Sequence, residues 1–201
     1  MFTGIIERVS TVERLQSTAD GVRFHISGLG LEDKVGPGDS VAVNGVCQTV
    51  EDVVSGNIVF TAVGETLKRT TMRSLHVGSR VNMETAATAD SMLGGHIVQG
   101  HVDGLGTVQS FVRSGKDWLL SVRLSQDLLD LVVPKGSIAI DGVSLTVIDP
   151  KPAGVVTMTI VPFTFENTII GDYRAGTRVN VEADILGKYV LQYLARIHKK
   201  R

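Results

Sequence analysis

The chain has 201 residues, 43% of them hydrophobic, with 20 basic and 21 acidic side chains and a formal charge of -1. Interspersed charges of both signs leave no electrostatic footprint for nucleic acid, and no stretch approaches the roughly 20 apolar residues of a membrane span. A single cysteine, Cys47, excludes an intrachain disulfide, and the start Met1-Phe-Thr-Gly-Ile-Ile-Glu lacks the basic-then-apolar order of a signal peptide, so a cytoplasmic protein is expected.

Val-rich, partly alternating runs predict strands at residues 40–43, 58–63 and 80–84, then at 119–124, 155–161 and 178–182. Asn44-Gly45 and Asp141-Gly142 read as tight hairpin turns, because Asn and Asp tolerate the positive φ that Gly adopts freely. Local helices are expected at 31–35 and 66–74, and again at 125–132, with Ser125 as N-cap, and at 164–170. The clearest helix is the tail. Ile185, Leu186, Tyr189, Val190, Tyr193, Leu194 and Ile197 share one face, and Asp184 stands at the capping position. The basic end from His198 to Arg201 reads as a solvated terminus.

The strands belong to two copies of one unit. Gly38-Asp-Ser-Val-Ala-Val-Asn-Gly-Val-Cys-Gln-Thr-Val50 returns as Lys135-Gly-Ser-Ile-Ala-Ile-Asp-Gly-Val-Ser-Leu-Thr-Val147. Phe2–Glu7 matches Val98–Asp103, and Val77–Glu84 matches Ala175–Glu182. The offsets of 96, 97 and 98 residues are too long for a solenoid and indicate a duplicated domain. The expected fold is all-β: two tandem small antiparallel, Greek-key-like β-barrels at 1–90 and 91–184, followed by a C-terminal α-helix within 185–201.

Comparing the copies sorts the candidate functional residues. Cys47 and Thr49, like Ser144 and Thr146, lie two apart on a strand and point to one face, a pair of small polar groups suited to a heteroaromatic ring. Cys47 stands opposite Ser144, Asn44 opposite Asp141, Gly38 opposite Lys135 and Ile5 opposite His101. Each mismatch puts a more reactive or ionisable group in one copy only. A free cysteine is more often a small buried hydrophobe than a nucleophile, and a lone histidine more often structural than an acid/base group. His25, His76, His96, His101 and His198 show no metal-ligand spacing, and no P-loop, dinucleotide fingerprint or nucleophile elbow is present.

Met1-Phe-Thr-Gly-Ile-Ile-Glu7, Asn44-Gly-Val-Cys-Gln-Thr-Val50, Gly94-Gly-His-Ile-Val-Gln-Gly-His-Val-Asp103 and Asp141-Gly-Val-Ser-Leu-Thr-Val147 together resemble the alpha-chain type riboflavin synthase family, over essentially the whole chain. One departure is Gln48, where leucine is common. The resemblance implies dismutation of two molecules of 6,7-dimethyl-8-ribityllumazine by transfer of a four-carbon unit, giving riboflavin and a ribitylaminopyrimidinedione. It implies no metal or cofactor, two substrate molecules per site, and a homotrimer formed through the C-terminal helix. The reaction site would lie where the first barrel of one subunit meets the second barrel of its neighbour; lumazine synthase is a candidate partner. Non-catalytic lumazine or flavin antenna proteins of the same fold are the alternative.

By the same resemblance Phe2, Gly4, Ile5, Ile6, Ser40, Cys47, Gln48, Thr49, Thr61, Ala62, Val63, Gly64, Glu65 and Thr66 would serve the first-barrel site. Gly100, His101, Val102, Ser144, Leu145, Thr146, Thr159, Ile160, Val161, Pro162, Phe163 and Thr164 would line the second, with Lys135 reaching a ligand from the neighbouring subunit. His101 and Thr146 are expected to assist proton transfer. Ser144 and Cys47 are expected to bond or add to the ring, and Asp141 to orient partners.

Overall fold

The computed structural model describes residues 1–151 and 154–198; the last residues of the basic tail, 199–201, lie outside it. The first copy contributes β1 (Arg8–Ser17), β2 (Gly21–Ser27), β3 (Ser40–Val43), β4 (Val46–Thr49), β5 (Asp52–Val54), β6 (Asn57–Val63), α1 (Gly64–Arg69) and β7 (Arg80–Thr85). The second contributes β8 (Gly104–Ser114), β9 (Asp117–Arg123), α2 (Gln126–Leu129), β10 (Ser137–Ile140), β11 (Val143–Lys151), β12 (Val155–Ile160), α3 (Pro162–Asn167) and β13 (Arg178–Ala183), and the tail forms α4 (Ile185–His198).

The second copy is a closed barrel in the order β10-β11-β12-β9-β8-β13, and the first runs β4-β3-β7-β1-β2-β6-β5. The two orders are the same ring. In the second copy β11 pairs with β10 over its first half and β12 over its second. In the first copy that strand is broken into β4 and β5, and the Glu51 amide donating to the Val59 carbonyl at 2.8 Å carries the chain across the gap. A register shift also recurs, between Val12 and Arg14 on β1 and between Val108 and Ser110 on β8. Such a bulge strengthens local twist, which a small sheet needs in order to curl on itself.

Alternation fills each barrel. Phe24, Ile26, Val41, Val43, Ile58, Phe60 and Met83 pack inside the first, and Leu120, Val122, Ile138, Ile140, Val156, Met158 and Val181 inside the second. The short helices differ from expectation. Residues 31–34 form turns rather than a helix. The spans 66–74 and 164–170 each divide into an α-helical piece and a 3-10 turn, because Thr70 and Thr168 take extended backbone and their hydroxyls accept from the amides of Met72 and Ile170. Ser125 sits at the N-cap of α2 but makes no side-chain cap bond, and the helix ends after Leu129.

The barrels meet along a two-fold seam. The hairpin turns Asn44-Gly45 and Asp141-Gly142 abut so closely that a Cβ on Gly45 would lie 2.5 Å from the Gly142 nitrogen. Asn82 and Asn180 lock them reciprocally. Asn82 Nδ2 donates to the Asp141 carbonyl at 2.9 Å and its Oδ1 accepts from the Ile169 amide at 2.8 Å. Asn180 Nδ2 donates to the Asn44 carbonyl at 2.8 Å and its Oδ1 accepts from the Thr71 amide at 2.8 Å. Leaving any one of these buried groups unpaired would cost about 1–3 kcal/mol, so the seam orients one barrel rigidly on the other.

Candidate functional site

On β4 and β11 the expected alternation holds. Cys47 and Thr49 point outward while Gln48 is buried, its amide donating to the Cys47 carbonyl. Ser144 and Thr146 likewise face out. In the second copy this face is concave: a cleft of about 420 Å³ is lined by Lys135, Ser144, Leu145, Thr146, Ile148, Thr159, Val161 and Thr164. All but Ile148 are residues singled out from the sequence. Thr159 and Val161 come from the end of β12 and its exit, and Thr164 from α3, so the strand-to-helix junction forms one wall. Its counterpart in the first copy, from Thr61 through Val63 and Gly64 to Thr66, joins β6 to α1. Ala62 and Ile160 turn into the barrels, Pro162 is half-buried, and Glu65 and Phe163 lie toward solvent.

Lys135 is held at a φ of +63°, in the left-handed region; its counterpart Gly38 has a φ of +95°. A side chain is therefore carried, with strain, where the other copy leaves one out.

The structure crosses the two copies. Ser144 donates its amide to the carbonyl of Gly4 at 2.8 Å, and Cys47 donates to that of Gly100 at 2.9 Å. A Cβ on Gly4 would lie 2.6 Å from Ser144 Cβ, and one on Gly100 would lie 2.6 Å from Cys47 Cβ, so glycine is the residue that fits at both places. Ile6 packs on the core of the second barrel and Val102 on that of the first. The expectation that Gly4, Ile5 and Ile6 join Cys47, and that Gly100, His101 and Val102 join Ser144, is thereby corrected. Each segment completes the other copy's face. Exposed His101 consequently lies on the segment that crosses to Cys47.

Glu84 and Glu182, unremarked in the sequence except as matched strand positions, fix these segments. Glu84 Oε1 accepts from the Thr3 amide at 2.6 Å and the Thr3 hydroxyl at 2.7 Å, and its Oε2 from the Gly4 amide at 3.1 Å. Glu182 accepts from the Gln99 and Gly100 amides at 2.7 and 2.9 Å. Burial pushes both carboxyls above the usual carboxylate range, against the lowering effect of those amides.

Three further candidates fall elsewhere. Phe2, 1% exposed, lies in a small cluster with Ala42, Val98 and Ala139, behind Cys47 rather than in a cleft. Ile5 and Ser40 open onto a separate cleft of about 920 Å³, bordered also by Glu84 and Met92. The expected part of Asp141 at the site is also corrected. Its carboxylate is buried in the seam, accepting from the Tyr173 hydroxyl at 2.5 Å and the Asn180 amide at 2.7 Å. Burial pushes it up to about 7.

Beyond the barrels, α4 starts where Asp184 Oδ1 accepts from the Leu186 amide at 3.0 Å, and Lys188 bridges to Asp103 at 2.7 Å. Its apolar face is turned outward: Leu186, Tyr189 and Tyr193 are 65%, 65% and 67% exposed. No helix among the described residues is long and apolar enough to cross a membrane, and no group of three or more His, Cys, Asp or Glu among them is placed to hold a metal ion.

Residues 3–86 and 99–184 each match the model of the lumazine binding domain. Curated relatives include riboflavin synthase of Mycobacterium tuberculosis, 42% identical over 193 residues that cover 94% of this chain and 96% of that protein. Riboflavin synthase of Bacillus subtilis is 35% identical over 201 residues, 100% of this chain and 93% of that one. Among solved structures, LumP complexed with riboflavin superposes with a TM-score of 0.84 at 24% identity, covering 91% of this chain and 99% of that one. LumP complexed with 6,7-dimethyl-8-(1'-D-ribityl)lumazine gives 0.81 at 23% over the same shares. At those identities the likeness is one of fold.

Proposed function

The chain belongs to the lumazine-binding domain family and is an enzyme, a transferase; on that premise we propose that it is a riboflavin synthase. It would dismutate two molecules of 6,7-dimethyl-8-ribityllumazine into riboflavin and 5-amino-6-ribitylaminopyrimidinedione. In this reading residues 1–90 and 91–184 are the two ligand-binding units and the helical tail within 185–201 joins three subunits. The reaction would take place in the cytoplasm, and lumazine synthase would be the upstream enzyme with which it associates.

The observation that supports this most directly is the pair of related, unequal faces. Cys47 with Thr49 and Ser144 with Thr146 present similar polar pairs, while Lys135 stands beside one only. Two identical substrates that must act as donor and acceptor need two similar sites that are not the same. The chemistry requires loss of a proton from the methyl group at C7 of one ring and carbon–carbon bond formation to the other. His101 and Thr146 would assist the proton transfers, and Ser144 and Cys47 would bond or add to the rings. Asp141 would act only through the seam. Holding two rings in one reactive geometry would supply much of the rate, since effective molarities reach ~10⁵ M or more.

The outward apolar face of α4 supports association between subunits, because an apolar helix face left in water favours burial against a copy of itself. The decisive experiment mixes the purified protein with the lumazine, without cofactor, and follows riboflavin by absorbance. Riboflavin formed at a rate proportional to enzyme is the expected result. Tight lumazine binding with no riboflavin would overturn the reading in favour of a carrier or antenna role.

A further inference from the structure

Ser144 has a partner that Cys47 lacks. His96, 7% exposed, lies in the segment between β7 and β8, which presses on β11. The approach is close: a Cβ on Gly95 would lie 2.8 Å from Ser144 Cβ and 2.2 Å from the Thr3 carbonyl oxygen. His96 itself is pinned by its amide, which donates to that same carbonyl at 3.1 Å. Its Nδ1 stands 2.7 Å from Ser144 Oγ, and its Nε2 is buried with no protein partner. Among the described residues no ring nitrogen is bonded to Cys47.

A 2.7 Å contact between an imidazole nitrogen and a hydroxyl uses one proton, carried by one group or the other. We propose that His96 is a positioning residue for the second-barrel site: its bare Nδ1 accepts the Ser144 hydroxyl proton, which turns the serine lone pairs toward the cleft. The proposal rests on the reading of that cleft as a lumazine site. Burial holds the imidazole in its neutral form, with Asp184 the charged group acting in the opposite direction. The chemistry accounts for the Cys47/Ser144 mismatch. An alcohol needs an adjacent base before it can act at neutral pH, and a thiol needs one much less. The copy that carries serine is the copy that carries the histidine.

Three variants and one spectrum test this. His96→Ala should lower kcat by ~100-fold with KM changed far less, the size of effect a positioned acid/base partner gives. His96→Asn, whose Oδ1 can stand where Nδ1 stood, should recover part of that loss. In a Ser144→Ala background His96→Ala should cost nothing further. Independently of turnover, ¹⁵N spectra of the imidazole should show Nε2 protonated and Nδ1 bare, with the Nδ1 signal moving in Ser144→Ala. Additive losses, or an Nδ1 proton donated to the serine, overturn the proposal. If the wild type forms no riboflavin, the functional reading falls on that result, and the tautomer alone decides the role of His96.

Discussion

Tyr173 donates its hydroxyl proton to Asp141 Oδ2 across 2.5 Å in the seam between the barrels. The first copy has Asn44 and Leu75 at the corresponding places, and Asn44 Oδ1 accepts from the Asn82 amide as Asp141 Oδ1 accepts from Asn180. The aspartate is thus a variation on a turn that works with asparagine, and it brings a titration with it.

That titration has a definite sign. Burial raises Asp141 from 3.8 to about 7, so between those values the folded chain keeps a proton that the unfolded chain has lost. Stability then falls as pH rises through this window, and the contribution is gone above the folded value. Asp141→Asn removes the effect. Urea midpoints at about pH 5 and about pH 8 should fall with pH more steeply for the wild type than for the variant. Parallel profiles would show that Asp141 is ionised throughout.

Because the copies are crossed, damage at one carboxylate should appear at the other copy's face. Glu84→Gln loosens Thr3 and Gly4, which back Ser144; Glu182→Gln loosens Gln99 and Gly100, which back Cys47. Each should weaken lumazine binding at one face roughly tenfold, about 1.4 kcal/mol. In titrations of double variants, Glu84→Gln should be non-additive with Ser144→Ala and additive with Cys47→Ala, and Glu182→Gln the reverse. Non-additivity within a copy would contradict the crossing.

Lys135→Gly should separate stability from function. Removing a side chain from a φ of +63° relieves about 1 kcal/mol and should raise the thermal midpoint. The same change strips the cleft of the lysine that lines it, so ligand affinity should drop. Calorimetry and a binding titration on one preparation check both; a lower midpoint would mean the lysine stabilises the loop.

Truncation after Gly187 removes most of α4. Light scattering should give the mass of three chains for the intact protein and of a single chain for the truncated one, and riboflavin formation should cease. Tyr189→Lys with Tyr193→Lys, both at exposed positions, should do the same with the helix still present. An active monomer would place the reaction within one subunit.

Much of this was legible in the chain because it is local or repeated. The Asn44-Gly45 and Asp141-Gly142 turns carry their own backbone preference, the Cys47/Thr49 alternation follows from strand geometry, and α4 announces its cap at Asp184. β1 and β8 were harder to see. Arg8, Glu13 and Arg14 interrupt the alternation of β1, and the bulge shifts its phase by one residue. The crossing had no local signature: contact between Gly4 and Ser144 depends on how two barrels rotate about the seam, which Asn82 and Asn180 set from the strands β7 and β13. Glu84 and Glu182 were visible only as matched positions. His96 was one histidine among five until the fold laid its segment on Ser144.

Arms that reach across a two-fold axis to finish the opposite half are what a symmetric dimer acquires by exchanging its N-terminal segments. Joined end to end, such a dimer becomes one polypeptide whose halves depend on each other. Cutting this chain between β7 and β8 would therefore not release two independent binding modules. Each fragment would carry an arm with nowhere to dock and a face lacking its cover. The cheapest repair open to the first fragment is to pair with a second copy of itself.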